Sequence, residues 1–101
     1  MPAVTYSEKG VLNAILTGEI DHHSAAHMRE KIDLGVESTL PKELRLDFSG
    51  VTFMDSSGIG LIMGRYKLMQ SIGGSLKVVN APASIKKVMR LSGLDLLKVL
   101  D

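Results

Sequence analysis

Phe53-Met54-Asp55-Ser56-Ser57-Gly58-Ile59-Gly60 runs from an apolar, strand-like segment through three polar residues into a glycine-spaced helix start. Short oxygen-bearing side chains ahead of an apolar run are what a helix N-terminus uses to satisfy its free N–H groups. The spacing predicts a helix from about Ser57 to Ser71, ended by Gly73-Gly74. Gly58, Gly60 and Gly64 each cost such a helix about 1 kcal/mol relative to Ala, so their bareness asks for a compensating use. Lacking side chains, Gly58 and Gly60 are expected to leave the backbone near Ser57 open to another molecule. A helix mouth with unpaired N–H groups and partial positive charge is also a favourable seat for a phosphate.

Upstream, Glu43-Leu44-Arg45-Leu46-Asp47-Phe48 alternates with period two, which places Leu44, Leu46 and Phe48 on one face of a strand. Ser49 to Asp55 is then read as the connection to the helix. Val4–Ser7 and Val11–Thr17 read as strands joined by a turn at Glu8-Lys9-Gly10. Gly18-Glu19-Ile20 leads out of the second strand to Asp21, a suitable helix cap. The helix after it buries Ala25, Met28, Ile32 and Val36, with Arg29, Glu30, Lys31 and Asp33 on its other face. Downstream, Ser75–Val79 reads as a strand. Pro82 opens a third helix with Ile85, Val88 and Met89 as its buried stripe, and Gly93 follows as a cap. The sequence assigns no form to Leu94–Leu100. This order predicts an α/β fold, a mixed β-sheet with helices mainly on one face and right-handed crossovers between parallel strands.

The 101 residues suit one domain, residues 1–101, and 45% hydrophobic against 23% charged residues is ordinary globular usage. A net charge of +1 supplies no long-range field toward nucleic acid or an anionic membrane. Cysteine is absent, so disulfides and thiolate metal sites are excluded. Met-Pro-Ala-Val-Thr-Tyr does not read as a signal peptide, and no apolar run reaches the ~18 residues of a membrane span. A cytoplasmic protein is expected.

Enzyme readings fare poorly. A serine hydrolase built on Ser57 lacks the Gly-x-Ser-x-Gly elbow, because Asp55 and Ile59 stand where the glycines belong. Gly58-x-Gly60 would need its third dinucleotide-site glycine at Met63, and no glycine loop leads into Gly-Lys-Ser/Thr. His22, His23 and His27 have the proximity of metal ligands, yet Ser24 stands where zinc-peptidase spacing needs Glu. Neither metal nor cofactor is expected.

The motif from Phe53 to Gly60, continuing Leu61-Ile62-Met63-Gly64-Arg65-Tyr66-Lys67, resembles the signature of the STAS domain in bacterial anti-sigma-factor antagonists, the sporulation type above all. Leu16-Thr17-Gly18-Glu19-Ile20-Asp21-His22-His23, Ile72-Gly73-Gly74 and Leu91-Ser92-Gly93-Leu94 add to the likeness in the same order. Sporulation-type relatives usually carry a further helix beyond the position of Asp101. The resemblance implies that Ser57 is the phosphate acceptor. Asp21, Asp55, Ser56, Gly58, Ile59 and Gly60 would form the phosphorylation loop and the partner contact. It further implies a cycle in which the unphosphorylated protein binds an anti-sigma factor and frees the sigma factor. That anti-sigma factor, a serine kinase, would inactivate its antagonist, and a metal-dependent serine phosphatase would restore it. The competing reading is a ligand-sensing or scaffold STAS module that is not phosphorylated.

Overall fold

The computed structural model describes residues 2–101. Period-two alternation becomes a four-stranded sheet of order β1-β2-β3-β4, with β1 at Ala3–Glu8, β2 at Val11–Ile20, β3 at Glu43–Met54 and β4 at Ser75–Val79. β1 and β2 pair antiparallel, whereas β2–β3 and β3–β4 are parallel. The hairpin turn is narrower than Glu8-Lys9-Gly10. Glu8 pairs with Val11, and only Lys9 and Gly10 turn, at φ of 51° and 81°. Two successive positive φ values match the right-handed twist of the flanking strands, and Gly10 adopts its value without steric cost.

Register explains the core. Leu12 lies beside Leu44, which lies beside Leu76, and Ala14, Leu46 and Val78 form the next row. All six are buried, whereas their neighbours Asn13, Arg45 and Lys77 fall on the opposite, more exposed face. Helices α1 (His22–Thr39), α2 (Ser56–Ser71) and α3 (Ala83–Leu91) cover that apolar face. Met28, Ile32 and Val36 of α1, Ile62 and Met69 of α2, and Ile85 and Met89 of α3 complete one continuous core. Each such side chain contributes roughly 1.5–3 kcal/mol when fully buried. Leu94–Leu97 forms a short 3₁₀ turn, after which Leu100 bridges to Val78 beyond the β4 edge.

Several expectations are corrected. The chain from Ser49 to Met54 is not a crossing but the second half of β3, and Gly18–Ile20 likewise belongs to β2. The pairing is irregular here: two register shifts give β3 two more residues than β2 between Ile15↔Asp47 and Ile20↔Met54. Such bulges break the alternation from which a strand is read. Val88 is exposed rather than part of the α3 stripe. Asp33 is half-buried toward α2 instead of standing on the solvent face of α1. Pro82 caps α3 from outside, and Ala83 is its first residue. Ala25 is half-buried at the margin of the core.

Candidate functional site

Parallel strands end at the same side of a sheet, so the helices that follow β2 and β3 begin next to each other. Ile20 pairs with Met54, and the Asp55 N–H donates to the Ile20 carbonyl at 3.1 Å. The next residue of each strand, Asp21 and Asp55, is the N-cap of its helix. Asp21 and Asp55 are therefore brought together at one end of the fold, as the sequence reading required for a shared loop.

The first mouth is closed on itself. The Ser24 N–H donates to the Asp21 carboxylate at 2.8 Å, and the Asp21 N–H donates to Ser24 Oγ at 3.0 Å. The Ser24 hydroxyl in turn donates to the Glu19 carbonyl at 2.7 Å. The bond from the Ser24 N–H, foremost, holds the Asp21 carboxyl below its ordinary range; desolvation opposes it, and the adjacent Ser24 side chain and His23 assist.

The second mouth is left open. Asp55 accepts from the Ser57 N–H at 2.8 Å, and the Gly58 N–H donates to the Asp55 carbonyl at 3.0 Å. Neither the Ser56 nor the Ser57 hydroxyl has a hydrogen-bond partner among the described residues. Ser56 faces solvent, while Ser57 is half-buried at the start of a groove. Asp55 thus caps α2 and leaves both hydroxyls uncommitted.

Two of the motif's glycines have different jobs. A methyl group on Gly58 would overlap the Met54 side chain, so this buried glycine exists for packing and not for access. Around Gly60 nothing lies within 4 Å of where a side chain would begin. The expectation that both glycines expose backbone therefore holds for Gly60 alone. Leu61 is buried, whereas Ile59 and Met63 are half-buried beside the core. Phe53, which alternation alone does not mark as exposed, is 49% exposed just before the Asp55 turn.

Between α1 and α2 lies a groove of about 550 Å³. On the α2 side Ser57, Gly60, Gly64 and Arg65 line it, at the spacing of one helix face. On the α1 side Ala25 and Ala26 keep it wide, with His22 near the mouth and Arg29 further in. At its inner end Arg65, only 8% exposed, stands 2.9 Å from Asp33 by its Nε. The contact is a charge pair rather than an aligned hydrogen bond. Burial pushes the Arg65 guanidinium below its ordinary range, Asp33 draws it back, and Arg29 pushes it down again. It stays charged regardless. The sequence reading does not mark Arg29 and Arg65 as site residues, and it takes up His22 only as a metal ligand. Their signal was the recurrence at three, four, seven and eight residues from Ser57, and at three, four and seven from His22.

His23 and His27 meet edge to face with ring centres 4.9 Å apart. Among the described residues no three His, Asp or Glu side chains gather as a metal site. No helix among them is long and apolar enough to cross a membrane.

Comparison with known proteins agrees with this geometry. The STAS-domain profile matches residues 3–99. The anti-sigma F factor antagonist of Paenibacillus polymyxa is 36% identical over 86 residues, spanning 85% of this chain and 74% of that protein. The anti-sigma-B factor antagonist of Bacillus subtilis is 35% identical over 79 residues, 78% of this chain and 71% of that one. Among solved structures, the anti-sigma factor antagonist SpoIIAA in its unphosphorylated form superposes with a TM-score of 0.85 at 27% identity, covering 98% of this chain and 85% of its own. In its phosphorylated form the TM-score is 0.76, at 27% identity over 98% and 88% of the two chains. With the sheet order, the paired helix mouths and the Asp-Ser-Ser-Gly turn in place, this chain belongs to the STAS-domain family, among the anti-sigma factor antagonists.

Proposed function

We propose that the protein is a cytoplasmic anti-sigma factor antagonist controlled at Ser57. In the unmodified form, the surface around Asp21, Asp55, Ser56, Ile59 and Gly60 docks on an anti-sigma factor, and the sigma factor is released. The observation that carries this reading is the uncommitted Ser57 hydroxyl at a capped but open helix mouth. Support comes from relatives named for antagonising anti-sigma factors, and from SpoIIAA having been solved both with and without phosphate.

The anti-sigma factor is also the kinase in this proposal. The γ-phosphoryl group of ATP passes to Ser57 Oγ, the bond to the β-phosphate breaks, the hydroxyl proton is lost, and ADP leaves. A metal-dependent serine phosphatase reverses the state by hydrolysis, returning the hydroxyl and inorganic phosphate. The phosphoseryl group brings about −1.5 to −2 charges. The helix mouth attracts that charge by roughly 0.3–1 kcal/mol, while Asp21 and Asp55 repel it, so the fold should change little. The partner interface bears the larger effect, because a bulky dianion must be desolvated there. A loss of about 3–4 kcal/mol weakens association several-hundred-fold.

The test is incubation with ATP and a cognate anti-sigma kinase, followed by mass mapping. Wild type should gain one phosphate on Ser57, and Ser57→Ala none. Stoichiometric labelling of Ser57→Ala would transfer the assignment to Ser56.

A further inference from the structure

Ser57 stands at one end of a groove whose other polar lining is mostly cationic, and the interface reading above makes no use of that. Arg29 and Arg65 face the same space, and the one carboxylate at the inner end, Asp33, is paired with Arg65. Arg29 is close enough to Arg65 for its charge to disfavour that of Arg65. Such an arrangement is short of one anion. His22 adds a third nitrogen base near the mouth, and Gly60, Gly64, Ala25 and Ala26 keep the floor and wall low.

We propose that this groove is a receptor in cis for the phosphoryl group of Ser57, which turns inward and is held between His22 and Arg29. The proposal rests on Ser57 being a phosphate acceptor and specifies where the phosphate goes. The geometry favours it in three ways. α1 and α2 start level with each other, so His22 stands across the groove from Ser57. Arg29 lies two turns into α1, and helical side chains lean toward their own N-terminus, so its guanidinium leans back toward the mouth. Guanidinium presents paired N–H donors that match phosphate oxygens. The titratable and charged groups facing the phosphate are then His22, Arg29 and, further in, the Arg65–Asp33 pair, against Asp21 and Asp55 at the mouth. Both aspartates already accept helix N–H groups, which offsets their repulsion.

The consequence concerns the switch itself. Phosphate drawn into the groove fills the space between α1 and α2 as well as charging the surface. A partner that uses the groove is then excluded by volume as well as by charge.

The experiment installs phosphoserine at position 57 during synthesis of the full chain, so that no kinase is needed. Its ³¹P shift is then followed against pH. Beside Arg29 the second phosphate ionisation should fall roughly half a unit or more below that of a phosphoserine peptide spanning residues 53–61. Arg29→Gln should restore most of the difference, while Lys67→Gln, an exposed charge outside the groove, should not. An ionisation at or above the peptide value, or one indifferent to Arg29→Gln, overturns the proposal. A chain that no kinase phosphorylates would instead count against the function proposed above and leave this measurement readable.

Discussion

The two strand-to-helix turns at the end of the sheet share one plan and differ in what they leave unused. At β2–α1 the Asp21 carboxylate accepts from the Ser24 N–H, the Ser24 hydroxyl oxygen accepts from the Asp21 N–H, and the hydroxyl's proton is spent on Glu19. At β3–α2 Asp55 caps through one backbone bond, and two serine hydroxyls remain without partners. The same polar vocabulary therefore builds a closed turn and, beside it, an open one. The phosphorylation proposed for Ser57 needs a hydroxyl that no cap already holds, and the open turn supplies one.

The comparison breaks most visibly at Ser57. Ser57→Asp should weaken binding to an anti-sigma factor by a factor of tens to several hundred, a fraction or all of the ~3–4 kcal/mol given for phosphate. Its melting temperature should stay near that of wild type, because an acidic side chain suits the first turn of a helix. A large drop in thermal stability would return Ser57 to a purely structural role. Ser57→Ala should bind constitutively and melt like wild type, since no hydrogen bond of the hydroxyl is lost.

Next in size comes the pair of glycines. Gly58→Ala forces a methyl group into Met54 and should cost about 1–3 kcal/mol in chemical denaturation. Gly60→Ala meets nothing and should instead raise helix stability, by up to about 1 kcal/mol. Equal losses at both positions would show that Gly60 is also enclosed.

The two caps give smaller signals of the same sign. Asp55→Ala should cost about 1 kcal/mol, and thermal unfolding measures it. Asp21→Ala should lower the melting temperature too, and its effect should carry a pH signature. The folded-state value of Asp21 is depressed, so the stability it contributes is present above its unfolded value near 3.8. That contribution is lost as pH falls through the lower folded value. The stability difference between wild type and Asp21→Asn should therefore shrink as pH drops below about 3.8. A difference that stays constant through that window would remove the cap's charge from the account.

Much of this was legible from residues because local rules and tertiary packing agreed. Ser75–Val79 reads with its observed limits and Asp21 reads as a cap. Residue type alone offers Asp55, Ser56 and Ser57 alike for α2, whereas the structure gives the cap to Asp55 and puts both serines inside the helix. The second half of β3 was not legible, because its two register shifts hide the alternation behind Ser49, Gly50 and Thr52. Gly58 looked like Gly60 in the sequence. Only the path of Met54 across the sheet end separates a glycine needed for packing from one left open. Arg65 was the hardest to read. A charged residue in a helix is expected at the surface, and its burial depends on Asp33, thirty-two positions earlier. The groove inherits that difficulty, since it is made by two helices whose facing sides only the sheet brings into line.

The most direct test compares the unmodified chain with the same chain bearing phosphoserine at position 57, titrated against one anti-sigma factor in one buffer. The modified chain should bind several-hundred-fold more weakly while unfolding at nearly the same temperature. Equal affinity for the two forms would contradict this outright.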